Sequence, residues 1–216
     1  SLQQVPISLT AVSGDYLKQR GIAAFGDLSK AAAGMSLDQT EGATGTSLRM
    51  RGVGARPNSP IDSAVGVIQD DVYQARPGFS FQEMQDVALV EVLRGPQGTL
   101  FGKNTTSGVI KITTNAPDLE EFSGNVQGVA ANYDALEIRG VVNIPIIKGK
   151  LGARISGFNA ERDGYTENRF NDEETRSTDR HGGRAKLRWD ATEALRLDFS
   201  YEDLRQSSDL DSALVE

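Results

Sequence analysis

The pattern of hydrophobic and polar positions changes character at Ala116-Pro117. Before that pair, short apolar runs are separated by glycines and polar turns, and two stretches carry the signals of short helices. After it, helical spacing disappears, and apolar and polar residues alternate strictly. We therefore expect a small mixed α/β domain, followed by a series of antiparallel strands.

The first part is predicted to contain an extended segment, two helices and four further strands. After the segment at 5–12, Ser13 is predicted to cap a helix at 15–20 that stops at Gly21. A second short helix is predicted at 27–33. The predicted strands are residues 48–53, 64–72, 88–93 and 109–114.

The alternation in the second part of the chain predicts five antiparallel strands, each with one apolar and one polar face. They are residues 123–131, 136–144, a strand near Leu151, 183–189 and 195–201. In the fourth, for example, Leu187 and Trp189 lie on the face opposite to Arg188. Trp189 and Tyr201 are predicted at strand ends on the apolar face, where membrane barrels carry interfacial aromatics.

The connections differ in length between the two ends of the predicted sheet. Residues 148–150 and 190–193 suit tight turns, whereas 161–180 is a long charged loop and another polar run opens at Asp203. This asymmetry is typical of outer-membrane barrels. A soluble antiparallel sheet with one wet face shows the same alternation, so the pattern alone leaves both interpretations open.

Composition excludes several classes of protein. The net charge of −7 argues against nucleic-acid binding, because phosphate contacts need a basic surface. No apolar stretch reaches the length of a transmembrane helix, which does not exclude membrane strands. The absence of cysteine excludes disulfides and thiolate metal sites. Residues 1–6 lack the features of a signal peptide, so we expect a mature or trimmed chain.

Residues suited to catalysis or metal binding do not form a recognisable group. His181 is the single histidine, so it cannot belong to a multi-histidine site. Asp70 and Asp71 are predicted on opposite faces of a strand, which argues against a shared acid-base pair. Residues 171–174 lack calcium-loop spacing, and 98–106 lacks the spacing of a phosphate-binding loop. We therefore predict no enzyme activity, no cofactor and no metal site.

One long segment closely resembles a known family. Residues 90–117 read VEVLRGPQGTLFGKNTTSGVIKITTNAP, which is similar to the most diagnostic stretch of the plug domain in TonB-dependent outer-membrane receptors. LRMRGVG at 48–54 and VIQDDVY at 67–73 resemble two further plug strands. The resemblance is strong over 1–117 and continues over 118–216 as a pattern of strands.

The resemblance implies an α+β plug domain at 1–117, followed at 118–216 by the first five or so strands of an antiparallel transmembrane β-barrel. Such barrels have about 22 strands and a plugged lumen, so these strands are an incomplete part of one. Their polar face would line the lumen and contact the plug. The residues expected to line the lumen are Arg139, Arg154, Arg184, Arg188 and Asp198.

The resemblance also implies active transport of a scarce small-molecule substrate, such as a ferric siderophore or a similar iron complex, across the bacterial outer membrane. TonB, with the ExbB-ExbD inner-membrane complex, would supply the energy through a TonB box expected upstream of Ser1. The plug would face the periplasm, the long loops would be extracellular, and the barrel would contact outer-membrane lipid.

Substrate would bind loops expected at 55–63 and 74–80. The predicted substrate contacts are Arg56, Asn58, Tyr73, Arg76 and Phe79. The alternative is that Arg56-Pro57 and Arg76-Pro77 are rigid turns with solvated arginines.

By the same resemblance, Arg51 and Arg94 join a charge cluster between plug and barrel, whose glutamates would lie beyond Glu216. Arg94 could instead bind the carbonyl groups of its own turn. A different class of protein also stays open, namely a soluble plug-like binding module or adhesin fragment without transport activity. An exposed apolar face over 136–201 would count against it.

Overall fold

The structure is a computed structural model whose contacts divide the chain into two compact units, residues 1–115 and 116–216. The residues that it describes are 8–22, 25–32, 34–39, 46–54, 63–74, 84–164, 166–168, 173–175 and 177–208.

The first unit combines two sheets with short helices. Its elements are β1 (Ser8–Ser13), α1 (Gly14–Gln19), a 3₁₀ helix (Phe25–Lys30), β2 (Met35–Gln39), β3 (Thr46–Met50), β4 (Val53–Gly54), β5 (Val65–Gln69), β6 (Val72–Tyr73), β7 (Val87–Arg94), α2 (Gly98–Phe101) and β8 (Gly108–Thr114). The main sheet has the order β1-β7-β8-β5-β6, and the smaller one the order β2-β3-β4. In the main sheet β5 and β8 are parallel, and the other neighbouring pairs are antiparallel.

The core of this unit joins side chains from both sheets and from the helices. Phe25 and Leu28 of the 3₁₀ helix, Met50 of β3, Val92 of β7 and Ile110 of β8 are all fully buried. Burial of an apolar side chain of this size stabilises a fold by roughly 1.5–3 kcal/mol. The shared core therefore holds the two sheets and the helices together as one unit.

The first helix follows the prediction closely. Ser13 has an extended backbone, and its hydroxyl accepts the Tyr16 N–H at 3.3 Å, so it is the N-cap. Gly21 follows the helix with a φ of 63°, the left-handed conformation of a C-terminal stop.

The second helix is shifted and of another type. The prediction placed it at 27–33, whereas the structure has a 3₁₀ helix at Phe25–Lys30. Phe25 and Leu28 lie three residues apart and are both buried, and three residues is the repeat of a 3₁₀ helix.

Two of the predicted strands are each interrupted by a tight turn. Arg51 and Gly52 have φ values of 53° and 79° and join β3 to β4. Asp70 and Asp71 have φ values of 47° and 65° and join β5 to β6. Positive φ at both central residues is typical of type I′ hairpin turns. The prediction that Asp70 and Asp71 lie on opposite faces of a strand is therefore wrong.

The second unit is built from strands. They are β9 (Ser123–Ala131), β10 (Ala135–Ile147), β11 (Leu151–Arg162), β12 (Thr166–Asn168), β13 (Glu173–Thr175), β14 (Thr178–Thr192) and β15 (Leu195–Ser208). Five of them form an antiparallel sheet in the order β15-β14-β11-β10-β9. This confirms the prediction of five antiparallel strands in series.

The longer connections differ from the prediction. β11 continues to Arg162 and β14 begins at Thr178, so the predicted loop at 161–180 contains the hairpin of β12 and β13. The polar run that begins at Asp203 is strand as far as Ser208, because each of its residues pairs with β14.

The short connections agree better. The turn at 148–150 is present, and the Lys150 N–H donates to the Ile147 carbonyl at 2.9 Å. The second turn is tighter than predicted, since β14 runs to Thr192 and leaves only Glu193 and Ala194 before β15.

Candidate functional site

We call the five-stranded sheet of β9, β10, β11, β14 and β15 the wall. The exposure of its two faces is the reverse of that in a sheet of a soluble protein. Its apolar face is the exposed one, with Phe199 65% and Leu197 48% exposed. Its polar face is covered along β10, β11 and β14, with Asn143 0% and Arg184 6% exposed. Such an arrangement is unfavourable in water on both faces, but it suits a strand with lipid on one side and a polar lumen on the other.

Ion pairs between neighbouring strands stabilise the polar face. Arg184 donates to both carboxylate oxygens of Glu202, with Nε–Oε2 at 3.2 Å and Nη2–Oε1 at 2.9 Å. Arg188 Nε donates to Asp198 Oδ1 at 2.7 Å. In each pair the two residues are direct cross-strand partners. The covered charges are therefore compensated by partners on the same face.

The predicted lumen residues share this polar face. Arg184, Arg188 and Asp198 form the pairs just described, and Arg154 lies opposite the buried Asn143 in the register of β10 and β11. Arg139 is also on this face and is paired with Glu137. The alternation of the sequence thus predicts the face of each residue correctly.

The border of the apolar face runs diagonally across the wall. On β15 the last apolar residue before Asp203 is Tyr201, whose partners across the strands are Ala185, Ile155 and Val142. On β10 the apolar face continues to Leu136, six residues beyond Val142. Such a border is parallel to a membrane plane only if the strands are tilted, as they are in barrels.

The two predicted interfacial aromatics are both on the exposed apolar face. Trp189 lies three residues before the end of β14, near the turn that joins it to β15. Tyr201 is in the middle of β15 and not at a strand end, because β15 extends beyond it to Ser208. It nevertheless lies at the border where the apolar face gives way to Asp203 and Arg205.

In the first unit, three chain segments meet at one end of the main sheet. The Ser107 N–H donates to the Ala64 carbonyl at 2.9 Å, where β5 and β8 begin side by side. The Gln74 N–H donates to the Val67 carbonyl at 2.9 Å, so β6 returns toward the same end. Both segments expected to bind substrate adjoin this end, the first at Ser63 and the second at Gln74.

Among the predicted substrate contacts, Tyr73 is described by the structure. It is half-buried, and its hydroxyl accepts a hydrogen bond from Asn104 Nδ2 at 3.1 Å. Asn104 was not predicted to have a role. Its φ of 63° places it in a constrained turn, a feature that only the structure reveals. The other predicted contacts, which lie outside the described residues, are Arg56, Asn58, Arg76 and Phe79.

The two arginines of the expected charge cluster both lie beside Gly34. The Arg51 N–H donates to the Gly34 carbonyl at 2.8 Å, and a Cβ on Gly34 would lie 4.0 Å from Arg94 Nε. Arg51 itself is exposed, whereas Arg94 is half-buried and donates to Thr10 Oγ1 at 2.9 Å. The fold thus brings the backbone of Arg51 and the side chain of Arg94 close to the same glycine, although the two arginines are far apart in sequence.

The acidic turn between β5 and β6 is engaged in contacts with β8. Asp70 accepts hydrogen bonds from the N–H and the hydroxyl of Thr114, at 2.9 and 2.6 Å. Asp71 pairs with Lys111 at 2.8 Å, and this hydrogen bond raises the pKa of Lys111 above its ordinary value. Both carboxylates therefore hold β8 in place.

The described part of the chain contains no group of three or more His, Cys, Asp or Glu residues placed to hold a metal ion. Among the same residues, no helix is both long enough and apolar enough to cross a membrane.

Comparison with known proteins identifies the family. A family model described as the TonB-dependent receptor plug domain matches residues 1–109, just over half of the 216 residues. The chain belongs to the TonB-dependent receptor plug family. This confirms the resemblance noted in the sequence. Membership in a family of receptors also agrees with the prediction that the chain is not an enzyme.

Curated relatives of this TonB-dependent receptor chain are longer proteins. It is 30% identical over 158 residues to the pesticin receptor of Yersinia pestis, covering 73% of the chain and 23% of that receptor. It is 31% identical over 134 residues to the iron-regulated outer membrane virulence protein of Vibrio cholerae, covering 58% of the chain and 20% of that protein. The chain thus spans less than a quarter of the length of these relatives.

A solved structure of a TonB-dependent receptor matches both units. The ferric yersiniabactin uptake receptor FyuA from Yersinia pestis has a TM-score of 0.82 and 27% sequence identity, over 93% of this chain and 31% of that one. A match over 93% of the chain extends well past the plug into the wall. The fold prediction, a plug followed by antiparallel strands, is confirmed.

Proposed function

We propose that this chain is the front part of an energised outer-membrane importer for an iron complex such as a ferric siderophore. The plug would comprise residues 1–117, and 118–216 would supply the first strands of a barrel of about 22. The observation that carries the proposal is the exposed apolar face of the wall. A face of this kind needs lipid, and the outer backbone edges of β9 and β15 need partner strands.

The proposed cargo rests on the relatives. One is named for iron regulation in the outer membrane, and another for the uptake of ferric yersiniabactin. Neither name fixes the ligand of this chain, so the proposal is limited to the chemical class of ferric complexes.

The proposed energy source is TonB with the ExbB-ExbD inner-membrane complex, in keeping with the family to which the plug belongs. The plug would face the periplasm, together with the short turns at 148–150 and 193–194. The longer connection from β11 to β14 would then be extracellular, as is typical of such barrels. Outer-membrane lipid would cover the apolar face.

The substrate site is proposed at the end of the main sheet where the two expected loops begin and end. Its proposed residues are Arg56, Asn58, Tyr73, Arg76 and Phe79. The hydrogen bond from Asn104 supports the choice of Tyr73, because it orients the phenol ring at that end. Guanidinium groups and aromatic rings together suit an anionic, partly aromatic ligand.

The charge cluster of Arg51 and Arg94 is proposed to meet glutamates of barrel strands beyond Glu216. The backbone of Arg51 and the side chain of Arg94 both lie beside Gly34, which supports this, because neighbouring arginines can share one carboxylate cluster.

The test is uptake by the full-length receptor in its own bacterium under iron limitation. Deletion of the receptor gene, or of TonB, is expected to abolish uptake of the radioactive ferric siderophore that the strain uses, and complementation should restore it. Recovery of the full-length protein from the soluble fraction, with uptake unchanged in the deletion strain, would overturn the proposal.

A variant pair addresses the site itself. Replacement of Arg56 and Arg76 by alanine is expected to weaken binding of the ferric siderophore to the purified receptor by about tenfold or more, since two charge-assisted contacts are lost. Arg20→Ala is the matched control, because Arg20 is an exposed arginine outside both expected loops and lies over the ring of Tyr16. If the double variant and the Arg20→Ala control bind the siderophore with equal affinity, Arg56 and Arg76 do not belong to the site.

The soluble binding module is not favoured by any described feature. The apolar face of the wall is exposed over β10, β11, β14 and β15, which is the property that counts against it.

A further inference from the structure

The segment between the two units is tied to the polar face of the wall by a fully buried asparagine. Asn143 Oδ1 accepts the Asp118 N–H at 2.8 Å. Its Nδ2 donates to the carbonyls of Asp118 and Glu121, at 3.0 and 2.7 Å. Asn143 is 0% exposed. One side chain of β10 thus satisfies three backbone groups of the segment, as a neighbouring strand would do.

The turn between β10 and β11 holds the same segment from a second side. The Gly149 N–H donates to the Leu119 carbonyl at 2.9 Å. Gly152 lies under the segment, and a Cβ there would be 2.9 Å from Leu119 Cδ2 and 3.1 Å from the Asp118 carbonyl. A side chain at this position would require the Leu119 side chain and the Asp118 carbonyl to move away. We call Asn143, Gly149 and Gly152, with the segment 117–121 that they hold, the linker clasp.

The segment also stabilises its own turn. Asp118 Oδ1 accepts the N–H groups of Glu120 and Glu121, at 2.7 and 3.2 Å. These hydrogen bonds lower the pKa of Asp118, and the charge of Arg154 on the neighbouring β11 acts in the same direction. The linker clasp therefore contains an ordered turn and not merely an extended connection.

On the other side of the boundary, the chain is held to the first unit. The Asn115 N–H donates to the Asp86 carbonyl at 2.9 Å, and Asn115 Nδ2 donates to Asp86 Oδ1 at 2.8 Å. The preceding Thr114 is held by Asp70 through its N–H and its hydroxyl. These contacts belong to the plug alone.

A single exposed residue, Ala116, separates the two sets of contacts. We propose that the linker clasp is a conformational boundary. Pro117–Glu121 stays folded with the wall when the first unit, residues 1–115, shifts or unfolds, and Ala116 is the hinge between them. The boundary then lies just before the predicted end of the plug at 117. Asn143 is then a positioning residue, because it acts through the backbone of the segment. In the proposed transport cycle, the rearrangement of the plug that lets cargo pass would end at Ala116. The boundary itself does not depend on the identity of the cargo.

The test is hydrogen exchange on the full-length receptor in detergent, followed by mass spectrometry in rising urea. Peptides that cover β7 and β8 report on the plug, and a peptide from 117 to 123 reports on the segment. The segment is expected to remain protected together with β10 and β11 at urea concentrations where β7 and β8 already exchange. Exchange of the segment together with β8 would overturn the proposal.

Two substitutions test the linker clasp from opposite sides. Asn143→Ala removes three hydrogen bonds, and Gly152→Ala adds a methyl group where the segment lies. Each is expected to accelerate exchange of the segment by about tenfold or more while the exchange of β7 and β8 stays unchanged. Asn125→Ala is the matched control, because Asn125 is an exposed asparagine of the neighbouring β9.

Heat-modifiable migration on gels shows whether each variant still forms a closed barrel. If both variants keep a closed barrel and neither changes exchange of the segment, the linker clasp does not hold it and the proposal fails. If one variant does not form a barrel, the other decides by the same criterion. Acceleration of β7 and β8 to the same degree as the segment would also overturn the proposal, because the two motions would then not be separated.

Discussion

The plug and the wall are both built from alternating strands, yet they treat the two faces of those strands in opposite ways. In the plug, Val92 and Ile110 face a core and are fully buried. In the wall, Phe199 is 65% exposed, while Asn143 on the polar face is fully buried. The same two-residue alternation of side chains thus occurs in strands with opposite surroundings. Alternation reveals that a strand has two unlike faces, but the surroundings of each face decide which one is covered.

The difference also shows in how polar groups are satisfied. In the plug, Asp70 and Asp86 are turn residues. The Asp70 carboxylate accepts from the N–H and hydroxyl of Thr114, and the Asp86 carboxylate accepts from the Asn115 side-chain amide. In the wall, Arg184 is buried along the strand and needs a bidentate partner, Glu202, on the next one. Buried charge requires a partner of fixed geometry, whereas a turn can also use solvent.

The largest effect is expected from a charge in the core of the plug. Ile110→Lys buries an ammonium group among apolar side chains and is expected to destabilise the plug by more than about 4 kcal/mol. Protease sensitivity of the plug in the full-length receptor is the measurement, with Ile110→Val as the control at about 1 kcal/mol. Because the hydrogen-bonded sheet of the wall is formed by strands of the second unit, the wall should keep its heat-modifiable form. Loss of both units together would contradict the comparison.

A smaller effect is expected from the same charge on the apolar face of the wall. Phe199→Lys places the ammonium group in lipid and is expected to cost roughly 2–4 kcal/mol in a bilayer. Urea titration of the full-length receptor in vesicles measures it, and Phe199→Leu is the control that keeps the face apolar. A soluble sheet would instead tolerate or even gain from lysine at this exposed position, so an unchanged midpoint would refute the membrane assignment.

The smallest effect is expected from pH at the junction of the two units. The hydrogen bonds from Glu120 and Glu121 lower the pKa of Asp118, so its ionised form is stabilised in the folded state. The contribution is therefore complete above the ordinary pKa of an aspartate and is lost as the pH falls through the lowered value. Protection factors of the Glu120 and Glu121 amides, corrected for intrinsic exchange, should fall on acidification. Asp118→Asn should remove this pH dependence, and a dependence that persists in it would assign the effect to another group.

Local features of the fold were predictable where one residue or one short period decides them. Ser13 was expected to cap α1, and its hydroxyl does so. The face of Leu187 and Trp189 followed from alternation. The turn at Asp70 and Asp71 was missed, because two aspartates are a weaker turn signal than Asn-Gly and the surrounding apolar residues suggest a continuous strand.

Features of the candidate site that depend on distant residues were not predictable. Arg94 donates to Thr10, 84 residues away, a contact that nothing near Arg94 in the sequence indicates. Nothing near Tyr73 in the sequence indicates that Asn104 donates to it. Such contacts follow from strand order, which the local pattern does not specify.

The sequence by itself determined the family, the existence of two unlike parts, and the two faces of each wall strand, because these depend on motifs and on the geometry of single strands. Only the tertiary structure decided where Asn143 acts. Its position on β10 shows that it belongs to the polar face, but not that it forms hydrogen bonds with three backbone groups of the connecting segment. The physical reason is that a buried amide is satisfied by whatever the fold brings within about 3 Å, and that distance is set by the packing of residues remote in the chain.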